Sequence, residues 1–156
     1  MRTIENEYFS FSFDEKGLVY AIRDVPDSRE FCPVPVEIFR MHCQGADQPC
    51  QLASALQDMP QIIVTNSVIT IFYPQLKLDN ALLDIKLMIM LALKQNRLLA
   101  MIHLENNSNL LITGLFPMIP ANPAVDHPPL NILGNRTLEA GKSYQSPLLP
   151  YPFENQ

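Results

Sequence analysis

The stretch LLDIKLMIMLALKQNRLLAMIHL, Leu82 to Leu104, is the most apolar part of the chain, and whether it is a membrane span, a buried helix or paired strands decides the fold. Strands put alternate side chains on opposite faces, whereas helices repeat every 3.6 residues. Odd positions from Leu83 to Leu93 read Leu, Ile, Leu, Ile, Leu, Leu, and even positions from Asp84 to Lys94 read Asp, Lys, Met, Met, Ala, Lys. One face is wholly aliphatic; the other is charged at its ends and soft in its middle. Lys94 to Arg97 forms a polar interruption of turn length, after which Leu98, Ala100, Ile102 and Leu104 alternate with Leu99, Met101, His103 and Glu105. This pattern predicts a hairpin. A helix is the competing reading, since Leu, Met, Ala and Lys favour helices and Lys86, Lys94 and Arg97 would share a polar arc. A membrane span fails on charge, because only Leu87 to Leu93 is free of it, against roughly twenty residues needed to cross as a helix.

The same alternation recurs along the chain. Tyr8 to Phe13 places Phe9, Phe11 and Phe13 on one face, DEKG makes a turn, and LVYAIRDV continues with Leu18, Tyr20 and Ile22. Val36 to Met41 is expected to form a short edge-like strand after Pro33 and Pro35. IIVTNSVITIFYP gives two β-branched runs around Asn66 and Ser67, or one continuous irregular strand. NNSN (106–109) is a turn, LLITGLFPMI a strand, 121–129 a loop, and TLEAGKSYQS one last strand. Only CQLASALQD, Cys50 to Asp58, has the look of a short helix, with Leu52, Ala55 and Leu56 on one side. The expectation is an all-β fold: one antiparallel β-sandwich of about eight to ten strands over residues 1–156, with at most one short helix.

Eleven basic and sixteen acidic residues leave a formal charge of −5 with no Lys/Arg run, so neither nucleic acid nor a membrane is an expected partner. Glu5 and Glu7 interrupt the N-terminus before a secretory core could form, which points to a cytoplasmic location for the chain as given. The three cysteines, Cys32, Cys43 and Cys50, are too few for a disulfide scaffold and lack the CxxC spacing of structural zinc sites, so reduced buried thiols and no cofactor are expected. Eight of the fourteen prolines fall between Pro117 and Pro152, which disfavours helix there.

Three separated pieces carry a resemblance. FSFDEKGLVYAIRDVPDSREF, with Gly17 in the turn and Asp24 to Glu30 as the connection, resembles the opening of the N-terminal β-sandwich of large glycoside hydrolases and, more broadly, the galactose-mutarotase-like supersandwiches. LLAMIHLENNSNLLITGLFPMI is similar to a strand, "E-N" turn, strand and terminal Phe-Pro of those domains, at Glu105, Asn106, Phe116 and Pro117. TLEAGKSYQSPLL resembles their closing segment at Leu138, Gly141 and Pro147. In such enzymes the catalytic domain follows the sandwich. The resemblance therefore implies a non-catalytic accessory module whose partners are a catalytic domain or a carbohydrate, with oligomers also open. Alternatives are a small sugar epimerase and a stand-alone ligand- or protein-binding sandwich.

Candidate chemistry is sparse. An epimerase needs an acid and a base around a sugar, yet His42, His103 and His127 lie in unrelated segments. Cys32, His42, Cys43 and Cys50 are suitable zinc ligand types at unsuitable spacing, and Cys50 preceding the expected helix is the one hint of an activated thiol. Asp14 with Glu15 and Asp24 with Asp27 flank turns, where solvated carboxylates are ordinary. Tyr8, Tyr73, Tyr144 and Tyr151 are the aromatic rings available to stack on a sugar. Sequons occur at Asn106 and Asn135. No catalytic or metal residue is assigned. The narrower question is what covers Met88 and Met90.

Overall fold

The computed structural model describes residues 2–30, 36–120 and 130–150. The strands in chain order are β1 (Arg2–Glu5), β2 (Phe9–Phe13), β3 (Val19–Asp24), β4 (Arg29–Glu30), β5 (Val36–Gln44), β6 (Pro49–Ala53), β7 (Gln61–Thr65), β8 (Val68–Tyr73), β9 (Leu76–Leu78), β10 (Ala81–Leu83), β11 (Ile85–Lys94), β12 (Arg97–Asn106), β13 (Leu111–Pro120), β14 (Lys142–Gln145) and β15 (Leu149–Pro150). One sheet runs β1-β2-β3-β5-β13, with β4 beside β3 and β6 beside β5; the second runs β14-β12-β11-β8-β7, with β15 beside β12. The β9 and β10 pair is a small separate hairpin. Among the described residues no helix is long and apolar enough to cross a membrane. The all-β, antiparallel sandwich expectation holds, although short segments raise the number of strands above the eight to ten anticipated.

The opening stretch forms the central hairpin. β11 and β12 pair over ten positions, from Ile85 opposite Asn106 to Lys94 opposite Arg97, and Gln95 in the turn takes the left-handed conformation. Ile85, Leu87, Ile89, Leu91 and Leu93 are buried, as are Leu98, Ala100, Ile102 and Leu104 across from them. They meet Ile4, Phe11, Phe13, Val19, Phe39 and Met41 of the first sheet in one core cluster. Fully burying each large side chain of this kind stabilises by about 1.5–3 kcal/mol. Leu83, expected on the same inward row, belongs instead to β10 and is only half-buried, because the ladder starts after Asp84.

Polar ties between the sheets lie at the rim. Arg2 donates to the Ile62 carbonyl, Asn6 Nδ2 to the Gln95 carbonyl, and Ser67 Oγ to the Glu5 carbonyl. All three involve β1 or the residue after it, a strand that the sequence pattern did not announce. Tyr73 crosses the core: its ring packs edge-on against Phe39 at 5.2 Å, and its hydroxyl donates to the Lys16 carbonyl at 3.1 Å. The turn bearing Lys16 must come close, and Gly17, at φ +82°, has the left-handed conformation that disfavours a side chain, with little room for one. A Cβ would sit 3.2 Å from Ile71 and 3.3 Å from the Tyr73 hydroxyl.

Three local expectations are corrected. Val36 to Met41 is no edge strand: β5 extends to Gln44, paired with β13 on one side and with β3 and β6 on the other. Pro33 and Pro35 lie outside the described residues. Cys50 to Asp58 is not a helix. Pro49–Ala53 is strand, and only Ser54–Leu56 turns, as a single 3-10 turn with Leu56 74% exposed. Pairing with β5 supplies backbone hydrogen bonds and buries Leu52 opposite Met41, which outweighs a short segment's helix preference. In β3 the expected inward row of Leu18, Tyr20 and Ile22 is broken. A register shift opposite Ser12 and Phe13 pairs Phe13 with Val19, so Val19 turns inward and Tyr20 is 54% exposed. The predicted loop at 121–129 lies outside the described residues.

Asn106 closes the central hairpin on the next element. It is fully buried, its Nδ2 donates to the Leu110 and Leu138 carbonyls, and its Oδ1 accepts from Ser108 N and Ser108 Oγ. Its own carbonyl accepts from Gly141 N. One amide thus shapes the β12–β13 turn and anchors the 138–141 segment, which also bridges to β13 through Ile112 and Leu138. Removing it leaves buried donors and acceptors unpaired. Asn106→Ala is expected to lower stability by about 3 kcal/mol in chemical denaturation; a loss below measurement error contradicts this role.

Candidate functional site

Three regions gather the candidate residues: the outer face of the second sheet, the β5–β6 hairpin, and the segment 130–149. The outer face follows directly from strand alternation. Cross-strand register aligns Phe72, Met88 and His103 in one row, Thr70, Met90 and Met101 in the next, and Val68, Ala92 and Leu99 in a third. All nine are half-buried, in contrast to the fully buried inward set. Ile63, opposite Thr70 on the edge strand β7, is 63% exposed. Met88 and Met90 therefore face outward, on an apolar strip about three residues wide. Charge brackets the strip: Lys86 opposite Glu105 at one end and Lys94 opposite Arg97 at the other. His103 Nε2 lies 3.3 Å from Glu105 Oε1 on the same strand, and Gln145 of β14 reaches Met101 Sδ at 3.6 Å.

The β5–β6 hairpin holds the thiols. Cys43 and Cys50 stand directly opposite each other in the ladder, and His42 stands opposite Gln51. Gln51 Nε2 and His42 Nε2 are 2.9 Å apart, and the His42 ring lies 4.7 Å from the Phe116 ring. Gly114, opposite His42, is the residue that admits this aromatic contact, since a Cβ there would fall 2.9 Å from the Phe116 ring. A shallow cleft of about 300 Å³ is lined by His42, Cys43, Cys50 and Gln51 together with Gln44, Pro49 and Thr113. Cys43 is buried in the core, and burial first, then the neighbouring Cys50 thiol, push its thiol up to about 12. Cys50 is half-buried and sits in mid-strand, so the helix N-terminus that would have activated it is not there.

These placements separate rather than assemble the expected chemistry. His42 is on the first sheet and His103 on the second, each committed to its own partner; His127 and Cys32 lie outside the described residues. Among the described residues no three metal-ligating side chains converge. The carboxylates serve turns: Asp14 Oδ1 accepts from Lys16 N and Leu18 N, both at 2.9 Å, and Asp24 Oδ1 accepts from Asp27 N at 3.4 Å. The Asn106 sequon is buried with its amide fully engaged, whereas Asn135 is exposed.

Of the aromatic rings, Tyr8 is exposed at 39%, Tyr73 is inside the core, and Tyr151 lies outside the described residues. Tyr144 is half-buried: its hydroxyl donates to the Ile132 carbonyl, and the Arg136 guanidinium lies 5.2 Å from its ring centre. That face of the ring is already covered by a cation. The surrounding cleft, about 540 Å³, includes Asn131, Asn135 and Leu149. Asn131 is structural in part, accepting from Leu115 N and Leu133 N. Tyr20 is the most exposed described tyrosine, and pattern reading missed it because a register shift, invisible in sequence, turns it outward.

No protein family matches the chain, and no curated protein is similar enough to stand as a relative. The three sequence pieces singled out above fall on β2 through β4, on β12 through β13, and on the 137–149 segment, with Phe31 outside the described residues.

Burial of Tyr73 has a pH consequence. Desolvation, with the charges of Asp14 and Glu37 behind it, raises its hydroxyl above the ordinary 10.0. The folded state holds this proton more tightly than the unfolded chain does. The stability it contributes is complete below about pH 10 and falls as pH rises beyond that value. Tyr73→Phe is expected to flatten the alkaline fall in a pH series of denaturation curves, while lowering neutral stability by about 1 kcal/mol through loss of the Lys16 hydrogen bond. An unchanged alkaline slope contradicts it.

Proposed function

We infer that this chain is a non-catalytic β-sandwich module whose outer methionine-bearing sheet face seats against another protein surface. The partner implied by the sequence resemblance is the catalytic domain of a carbohydrate-active enzyme, with carbohydrate contact at the rim of the module. One observation carries the reading: Met88, Met90, Met101, Leu99, Phe72 and Val68 form a continuous partly exposed apolar strip. Contiguous exposed apolar surface marks interaction sites, and methionine, unbranched and polarizable, adapts to irregular partners. Lys86, Glu105, Lys94 and Arg97 at its ends supply the polar rim such surfaces carry. A packing module needs no converging acid and base, and His42 and His103, held apart on separate sheets, fit that role better than an epimerase's.

A photo-crosslinking residue placed at Met88 or Met90, in protein made in its own cells, tests the reading. The expected outcome is cross-links to a carbohydrate-active catalytic domain, in the same polypeptide or another, lost when Met90→Glu is introduced at unchanged circular dichroism. Cross-links only to unrelated proteins, or none, overturn it. Calorimetry of the isolated protein against a broad glycan panel tests carbohydrate contact separately; absence of heat with every glycan leaves packing alone.

A further inference from the structure

The β5–β6 hairpin places two thiols side by side at the end of the core, a site that the packing role does not use. Directly opposed residues of an antiparallel pair have Cα atoms roughly 4.5–5.5 Å apart, inside the about 4.4–6.8 Å that a disulfide spans. Cys43 and Cys50 are such a pair, held in register by Gln44 opposite Pro49 on one side and His42 opposite Gln51 on the other. The tight turn closed by Gly45 N donating to the Gln48 carbonyl keeps them there. Both are free thiols, and the proximity of Cys50 adds to the effect of burial in raising the Cys43 thiol. Pairing of this kind is unlike the two isolated buried thiols that cysteine content alone suggests.

The geometry points to Cys43 and Cys50 as an oxidation site that a low-molecular-weight disulfide of the glutathione class converts to a cross-strand disulfide. Cys50 is the entry point, because it is half-buried and lines the cleft at the hairpin, whereas Cys43 is buried. Its thiolate attacks the external S–S bond, forms a mixed disulfide and expels one thiolate. The sulfur of Cys43, losing its proton to solvent as it attacks, then displaces the second external thiol from Cys50. Two S–H bonds are replaced by one S–S bond in the protein, and the external disulfide is reduced to two thiols. The raised Cys43 thiol makes this second step accelerate as pH rises.

The test uses the full chain, incubated with oxidised glutathione and digested on the C-terminal side of Arg40 and the N-terminal side of Asp47, which separates Cys32, Cys43 and Cys50 from one another. The expected product is monomeric, lighter by two hydrogens, and yields a Cys43 peptide joined to a Cys50 peptide that dithiothreitol releases. Before oxidation, alkylation under native conditions is expected at Cys50, with Cys43 reacting only in denaturant. Oxidation is expected to raise the Tm, since the link constrains the unfolded chain. Cys50→Ser is expected to give no internal link. A glutathione adduct that persists on Cys50, a link through Cys32, a link between two chains, or no loss of thiol each overturns the proposal.

Discussion

Everything in this structure is built around the ten-position ladder between β11 and β12. Its period of two sends Ile85, Leu87, Ile89, Leu91 and Leu93, with Leu98, Ala100, Ile102 and Leu104, into the core, and sends Met88, Met90, Leu99 and Met101 to the opposite side. A slip of one residue would exchange the two sets. The inward set is branched and aliphatic; the outward set is softer and flanked by charge. Burial energy therefore specifies register strongly, and the first sheet packs against the aliphatic face of this hairpin.

The second constraint is polar and sits at one end of that hairpin. Asn106 stands in the last position of β12, where the chain must leave the ladder, and its side chain replaces backbone partners that the turn and the 138–141 segment would otherwise lack. Buried polar groups are tolerable only when paired. Among the described residues no buried side-chain nitrogen or oxygen lacks a partner. Tyr73 does the corresponding work between sheets: its ring fills space against Phe39 and its hydroxyl fastens the Gly17 turn of the opposite sheet. Core shape and loop placement are thus set by the same side chains.

Chemistry-bearing residues are distributed by this framework rather than gathered by it. His42 and Gln51 are neighbours because they oppose each other across β5 and β6, and Cys43 and Cys50 for the same reason one position along. Strand pairing alone brings together residues that lie well apart in sequence. The outer sheet face is likewise a by-product of alternation that becomes a surface property: three rows of side chains, apolar except for Thr70 and His103, each contributed by β8, β11 and β12 together.

Sequence by itself determined the hairpin at Leu82 to Leu104, the aliphatic inward row, the β2 and β3 pair with its DEKG turn, and the placement of Met88, Met90 and His103 on the face opposite that row; that this face is uncovered was decided by the tertiary structure. These are local consequences of period-two patterning and turn residues, so a single chain carries them. Tertiary structure alone decided that Cys50 to Ala53 is strand, that β5 is interior, that Tyr20 turns out and Val19 in, and that Tyr73 lies in the core. Each depends on a partner strand's placement or register, which the segment's own pattern does not specify, and the free energy of pairing and burial there exceeds local preference. The facing thiols belong to both accounts: composition named the cysteines, but only the antiparallel register of β5 and β6 set them side by side.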